Sequence, residues 1–362
     1  MIRLNRINDT NMIKLTPREQ KIIAILLEKG SMQSSSIFEE LIKVGEEVAF
    51  VTVKRELSKM VKQKALIVSG SGRSVNYEVS VIGRMFFDVD TQAYCSIDPD
   101  KRYGLKQYNF DLFASIPVDI FTETEIKRLN LSTEKYKLRA NNLSATIQKK
   151  ELERFVIELS WKSSKIEGNT YTLLDTEKLI LENKKAEGKT NEEAQMILNH
   201  KDAFEFIYKN SEHFKLITKN NLEELHTILI KELGIGGGLR KNMVGITGSI
   251  YKPLDNAYQI NDALDSLVSA ISRAESPYVK ALIALIGISY IQPFQDGNKR
   301  TGRLMANAIL LAYGLPPLSY RSVEEEEYRK AILSFYELNT IVPIKKIFID
   351  QYDFTAQNYT IV

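Results

Sequence analysis

The segment Val279–Ile291, VKALIALIGISYI, constrains the fold more than any other part of the chain. A helix through it is apolar on every side, and such a helix persists only where other elements cover it completely. It is too short to cross a bilayer, which takes about 20 apolar residues. It is therefore expected at the centre of a helical domain. The neighbouring segments supply the cover. From about Thr133, "EKYKLRANNLSATIQKKELERFVIELSWKSSKIEG" reads as one long helical stretch ending at Gly168. "LLDTEKLILEN", "NEEAQMILNHKDAFEFIYKN" and "TKNNLEELHTILIKELG" carry apolar residues at helical spacing. Further helices are predicted at Asn261–Ala274, Asn298–Tyr313 and from about Val323 to Leu338, where the acidic run Glu324–Glu327 reads as a solvated face. The fold class is mostly α, with a helical domain over 133–350. One glycine-rich stretch, "GIGGGLRKNMVGITGSIYKPLDNAY", interrupts it, with a short β-like piece near Val244–Ile250. It is not a phosphate-binding P-loop, because no Gly-Lys-Ser/Thr follows.

Residues 1–80 follow a different pattern. "LTPREQKIIAILLEKG" predicts a helix capped by Thr16, with Pro17 at its first position and a stop at Gly30. A second helix follows at "SSSIFEELIKVG" and a third to about Lys64, then two short strands around a Gly-Ser turn in "LIVSGSGRSVNYEVS". Three helices and a hairpin in this order resemble a winged helix-turn-helix. That resemblance makes the third helix the recognition helix, exposing Thr52, Lys54, Arg55 and Lys59, and puts Arg73 at the wing tip. DNA is one partner such a unit takes. Protein contact, including a homodimer, is the other. Eleven basic and eight acidic residues lie between Ile13 and Val79, a weakly cationic balance. Residues 81–132 are too aromatic for a free linker and are expected to pack on the helical domain.

The whole chain of 362 residues has 49 basic and 46 acidic side chains, a net charge of +3 that does not by itself point to nucleic acid or membrane. A single cysteine, Cys95, rules out an intrachain disulfide and fits a reducing compartment. The N-terminus has no apolar core of a secretory leader. The expected location is the cytoplasm, with no membrane partner.

Directly after the apolar helix comes "QPFQDGNKRTGR". The helix stops at Pro293, a turn follows at Asp296-Gly297-Asn298, and a second helix begins. Gly and Asn tolerate positive φ, so successive N–H groups there can converge on an anion. The new helix adds unpaired N–H groups and the positive end of its dipole. Lys299, Arg300 and Arg303 in its first turns are unfavourable to the helix alone. A bound phosphate offsets that cost. Asp296 stands where a carboxylate could hold a divalent cation bridging phosphate oxygens.

These residues resemble the signature of the Fic (Fido) family, H-x-F-x-(D/E)-G-N-(G/K)-R-x-x-R, at Phe294, Asp296, Gly297, Asn298, Arg300 and Arg303. The resemblance implies an all-helical core with a short β-flap, and transfer of AMP from ATP to a hydroxyl of a target protein. It implies that Phe294 anchors the loop and that Asp296 holds Mg2+. Gly297 and Asn298 then form the anion hole, Lys299 lies beside it, and Arg300 and Arg303 pair the outer phosphates. "MVGITGSIY" is similar to the family's flap, and Asn339 to a position near the adenine. Upstream, Ser163, Glu167 and Gly168 in "SSKIEGN" match S/T-x-x-x-E-(G/N), the inhibitory motif of many family members. It implies that Glu167 occupies Arg303 and blocks productive placement of ATP.

Two positions depart from the pattern. Gln292 stands where the family has its catalytic histidine, and an amide has no basic pKa near neutrality. No other histidine is expected near the motif to substitute for it. Lys299 replaces the commoner glycine, as in the Doc-like branch that transfers a phosphoryl group. The readings are thus an autoinhibited, impaired adenylyltransferase, a nucleotide-sensing regulator that binds DNA or a partner, and a Doc-like phosphotransferase.

Overall fold

A computed structural model describes residues 13–140 and 143–361. At the N-terminus are α1 (Pro17–Lys29), β1 (Met32–Gln33), α2 (Ser34–Lys43), α3 (Phe50–Lys62), β2 (Leu66–Ser69) and β3 (Asn76–Val79). Thr16 caps α1 reciprocally with Glu19, and the helix ends at Gly30 in a positive-φ conformation, φ 83°. The sheet is antiparallel in the order β1-β3-β2, with Leu66 opposite Val79 and Met32 opposite Tyr77. β1 adds a strand to the two read from the sequence. At two residues it is too short to leave a pattern. Ile22, Ile23, Leu26, Ile37, Leu41, Val53, Leu57 and Met60 are buried between the helices and the sheet.

Short helices α4 (Val81–Met85), α5 (Thr91–Ser96) and α6 (Leu112–Ser115) lead onward. Then come α7 (Glu123–Ala140), α8 (Ala145–Ile166), α9 (Leu173–Glu182), α10 (Asn191–Lys209), α11 (Lys219–Leu229), α12 (Ala257–Arg273), α13 (Pro277–Ile291), α14 (Asn298–Ala312), α15 (Glu325–Leu338) and α16 (Val342–Asn358). The single long helix predicted to end at Gly168 is two helices. The second starts afresh at Ser144, whose hydroxyl accepts from Ile147 N at 3.4 Å.

α13 is the central helix: every residue from Tyr278 to Ile291 except Lys280 is buried. α12 and α14 flank it, and α14 approaches closely. A Cβ on Gly302 would lie 2.8 Å from Leu285 O. α10 and α11 pack on α14, and α8 and α15 meet it at Arg303, through Ser163 and the Tyr328 ring. Among the described residues, no helix is long and apolar enough to cross a membrane.

The predicted β-flap is not a strand. Residues 241–250 are irregular, Gly248 takes φ +77°, and the nearest ladder element is an isolated parallel bridge between Gln107 and Lys252. Among the described residues no neighbouring strand pairs with it, and side chains take over its backbone groups. Arg102 donates to Gly248 O at 2.9 Å, and Ile250 N donates to Glu337 Oε1 at 3.1 Å. Glu337, fully buried on α15, also accepts from Arg102 at 3.0 Å, Tyr94 Oη at 2.7 Å and Ser249 Oγ at 2.7 Å. A buried ion pair of this kind costs about 3–5 kcal/mol to break from one side. This one ties the segment after α5, the irregular strap 241–254 and α15 into one wall.

Candidate functional site

The loop between α13 and α14 is held by bonds from its own residues. Gln292 ends α13 in the left-handed region at φ 51°, and Gly297 caps α14 at φ 78° with no side-chain cap for the first turn. The Asn298 carboxamide closes the turn. It accepts from Phe294 N at 2.9 Å and donates to Phe294 O and Gln292 Oε1, each at 2.9 Å. Phe294 is fully buried. The first N–H groups of α14 have no side-chain cap, which suits them to a phosphate.

Two side chains from outside the motif lock this loop, and a third lies buried nearby. Arg240 donates through Nε to Gln292 O at 2.6 Å and through its backbone N–H to Pro293 O at 3.0 Å. It also donates to Asn242 O and Leu254 O, so one guanidinium joins both ends of the strap to the loop. His226 of α11 stacks on Phe294 with centroids 3.7 Å apart, and its Nε2 lies 2.9 Å from Asp296 O. His200 of α10 is fully buried near Arg303 and Arg300, with neither ring nitrogen partnered. The expectation that no histidine lies near the motif is thereby corrected: two reach it through space. Burial, reinforced by the arginine charges, pushes His226 down to about 4 and His200 well below the usual imidazole value.

The cationic residues of α14 face the end of α8. Arg303 is fully buried. It donates to Glu167 Oε1 at 2.8 Å, to Ser163 Oγ at 2.9 Å and to Ser163 O at 3.0 Å. Lys299 Nζ lies 3.3 Å from Glu167 Oε2, a second cation on the same carboxylate. Burial alone would raise the Glu167 carboxyl, but Arg303, Lys299 and Arg300 outweigh it and hold it at about 2. Gly168 follows at φ 98° and ends the helix. Arg300 is 2% exposed, meets Asp296 at 3.4 Å, and leaves one guanidinium nitrogen without a partner. Burial lowers its pKa, with Asp296 and Glu167 offsetting only part.

Beside these groups is a cavity of about 290 Å3, lined by Glu167, Lys299, Ile246 and Thr247 of the strap, and Tyr328, Arg329, Ile332 and Tyr336 of α15. That is at the lower edge of the usual size for a ligand site, and Glu167 itself forms part of the wall. The carboxylate of Asp296 is 65% exposed. Among the described residues, no group of three or more ligating side chains converges on a metal position. A lone carboxylate beside a phosphate site suits a cation that keeps its waters and shares phosphate oxygens.

Two predicted site residues sit differently. Asn339 is fully buried, caps α15 at φ 58°, and accepts from Asn109 Nδ2 at 2.9 Å; it is not among the residues lining the cavity. Gln292 spends its amide inside the loop, donating to Ser289 O at 2.7 Å and accepting from Asn298. On α3, Lys54 and Arg55 are exposed and Thr52 is half-buried. Lys59 is exposed as well, and its ammonium pairs with the buried Glu19 at 2.8 Å. The turn carrying Arg73 joins β2 to β3, and the Arg73 side chain lies outside the described residues.

The titration behaviour of His226 gives a test. Its folded pKa lies below the usual 6.5, so between about 6.5 and 4 the unfolded chain binds a proton that the folded chain refuses. Folding stability should fall as pH drops through that window. In His226→Gln, melts across pH 7 to 4 should show a shallower fall than in the native chain. An unchanged slope contradicts the buried neutral imidazole.

The family model of the Fic/DOC family matches residues 216–310. The chain is 31% identical over 166 residues to the Protein adenylyltransferase Fic of Drosophila willistoni, covering 45% of this chain and 33% of that protein. It is 28% identical over 184 residues to the Protein adenylyltransferase Fic of Nematostella vectensis, covering 50% of this chain and 43% of the relative. The matched stretch thus spans less than half the length of these relatives. In structure, Fic-1 of C. elegans aligns with a TM-score of 0.56 at 22% identity, covering 65% of this chain and 72% of its own. A Fic family protein from Desulfovibrio desulfuricans aligns with a TM-score of 0.55 at 22% identity, covering 67% and 75%. These likenesses show the helical fold.

Proposed function

We propose, from the premise that the chain carries a Fic domain homologous to the Fic protein adenylyltransferases, that it binds ATP and is built for AMP transfer to a protein hydroxyl. On this reading it is held off by Glu167 and slowed by the loss of its base at Gln292. The observation that carries the reading is Arg303. A fully buried guanidinium needs an anion, and here a carboxylate from another helix supplies it at the mouth of a cavity. A triphosphate would offer the same arginine a stronger bidentate partner.

In this reading the α14 N-terminus and Asn298 receive the inner phosphates, while Arg300 and Arg303 receive the outer ones. Arg300, with a nitrogen to spare, fits an incoming phosphate oxygen. Mg2+ at Asp296 would neutralise phosphate charge and stabilise the leaving group. The hydroxyl attacks the α-phosphorus, the bond to the bridging oxygen breaks, and pyrophosphate leaves. The hydroxyl proton then needs an acceptor. Gln292 offers an amide already bonded to Ser289 and Asn298. Loss of a general base is worth about 10²–10⁴-fold in rate. His226, stacked on Phe294 with its Nε2 engaged at Asp296 O, positions the loop.

Lys299, 3.3 Å from the inhibitory carboxylate, keeps a second reading in play: a cation there would favour a reversed nucleotide and phosphoryl transfer. One pair of changes separates the readings. Glu167→Gly frees Arg303, and Gln292→His restores a base. Each alone leaves the other obstacle, so the double variant should label itself or lysate proteins far more than the two single gains predict. Label from α-labelled ATP supports AMP transfer, and label from γ-labelled ATP the Doc-like reaction. A folded, nucleotide-binding double variant that transfers neither leaves the sensing regulator as the account.

For residues 13–80 we propose a winged helix. Lys54 and Arg55 on the exposed face of α3 favour DNA. Exposed Val51, Ile67 and Val68 favour a protein partner or a second copy, at 77%, 52% and 51% exposure. If DNA is the ligand, affinity of the full chain for duplex should drop with log[salt] by about 0.9 per phosphate contacted. Arg55→Ala should then cost more than Lys59→Ala, since Lys59 is held by Glu19. No affinity for duplex at low salt points to protein contact.

A further inference from the structure

The end of α8 is gripped from two sides. α14 takes the Glu167 side chain through Arg303 and Lys299. α15 takes the backbone. Arg329 donates from Nε to Ile166 O at 2.9 Å and from a second guanidinium nitrogen to the same oxygen. Lys162, one turn earlier, and Lys165, the preceding residue, reach Glu325 of α15 at 2.5 and 3.4 Å. Glu325 was expected to face solvent with the rest of its acidic run. Instead, Glu325 and Arg329, one turn apart on α15, are both spent on α8.

Ile166 O belongs to the last turn of α8, where carbonyls lack a partner within the helix and the dipole is negative. A guanidinium there stabilises the helix end. It also fixes the peptide group that leads directly into Glu167. The same Arg329 lines the cavity together with Glu167, Lys299 and Tyr336. It therefore shares the cavity wall with Glu167 itself.

We propose that Arg329 is a positioning residue of the closed state, a latch that holds the Ile166–Glu167 peptide so that the carboxylate stays on Arg303. When a ligand phosphate takes Arg303, Glu167 swings out and the latch must open. This rests on the reading of Glu167 as inhibitory. It adds that the inhibition is shared between a side-chain contact on α14 and a backbone contact on α15. Substituting the latch should thus strengthen ligand binding, the opposite of what a direct phosphate contact would give.

Calorimetry of Mg-ATP with the full chain tests it in the native protein, Arg329→Met, Glu167→Gly and the double variant. Arg329→Met keeps the aliphatic stem and removes the donors. It should tighten binding about fivefold, the scale of one charge-assisted hydrogen bond at an exposed site. In the Glu167→Gly background the same change should have little effect, and Arg329→Lys should restore part of the native affinity. Weaker or unchanged binding in Arg329→Met overturns the latch. If Glu167→Gly itself leaves affinity unchanged, the inhibitory reading fails separately. A second measurement needs no nucleotide. The amides of Glu167, Gly168 and Asn169 donate back into α8 at 3.0, 2.9 and 3.1 Å. Their hydrogen exchange should speed up in Arg329→Met while α13 keeps its protection, and unchanged exchange at these amides overturns the proposal.

Discussion

A fully buried arginine organises this molecule. Arg303 lies in the middle of a helix packed on the apolar α13, where an unpaired charge would be prohibitive. Its needs are met by α8, through Glu167, the Ser163 hydroxyl and the Ser163 carbonyl. That single requirement sets how α8 lies across α14. It also gives the cavity its wall and leaves α15 to close the other side. The ion pair is structural in the form described here. In the function proposed for it, the pair is an equilibrium between two anions competing for one cation.

The loop next to it is rigid for a different reason. Its shape does not come from a regular ladder but from side chains bonding to backbone. Asn298 closes it from inside, while Arg240 and His226 hold it from outside. The strap 241–254 is fixed in the same manner by Arg240, Arg102 and Glu337. Such anchoring keeps an irregular segment at a set distance from position 292 without strand pairing, and leaves residues such as Met243, 75% exposed, free to meet a partner.

How much of this could be read from the sequence depended on range. Contacts that repeat locally were legible: the Thr16 cap, the burial of α13, the turn at Gly297. The pairing of Glu167 with Arg303 was legible only because two short motifs resemble one family, since 136 residues separate them. His226, Arg240 and the Arg102–Glu337 pair left no signal, because each sits on an unremarkable helix or loop and acquires its partner by tertiary packing. The strap was expected to be β-like from its resemblance to the family's flap, and a resemblance in sequence says nothing of whether a neighbouring strand is there to pair. Asn339 shows a second difficulty, because a left-handed helix cap and a ligand contact both select asparagine. Glu325 was misplaced because one member of an acidic run can turn inward unseen.

The account's central claim is that a nucleotide phosphate and the Glu167 carboxylate compete for the same place. A crystal structure of the full chain carrying Glu167→Gly, grown with Mg-ATP, tests this most directly. The account predicts phosphate oxygens on Arg303 and Arg300, with another phosphate over the first N–H groups of α14. A nucleotide bound elsewhere, with Arg303 turned to a different protein carboxylate, would contradict it.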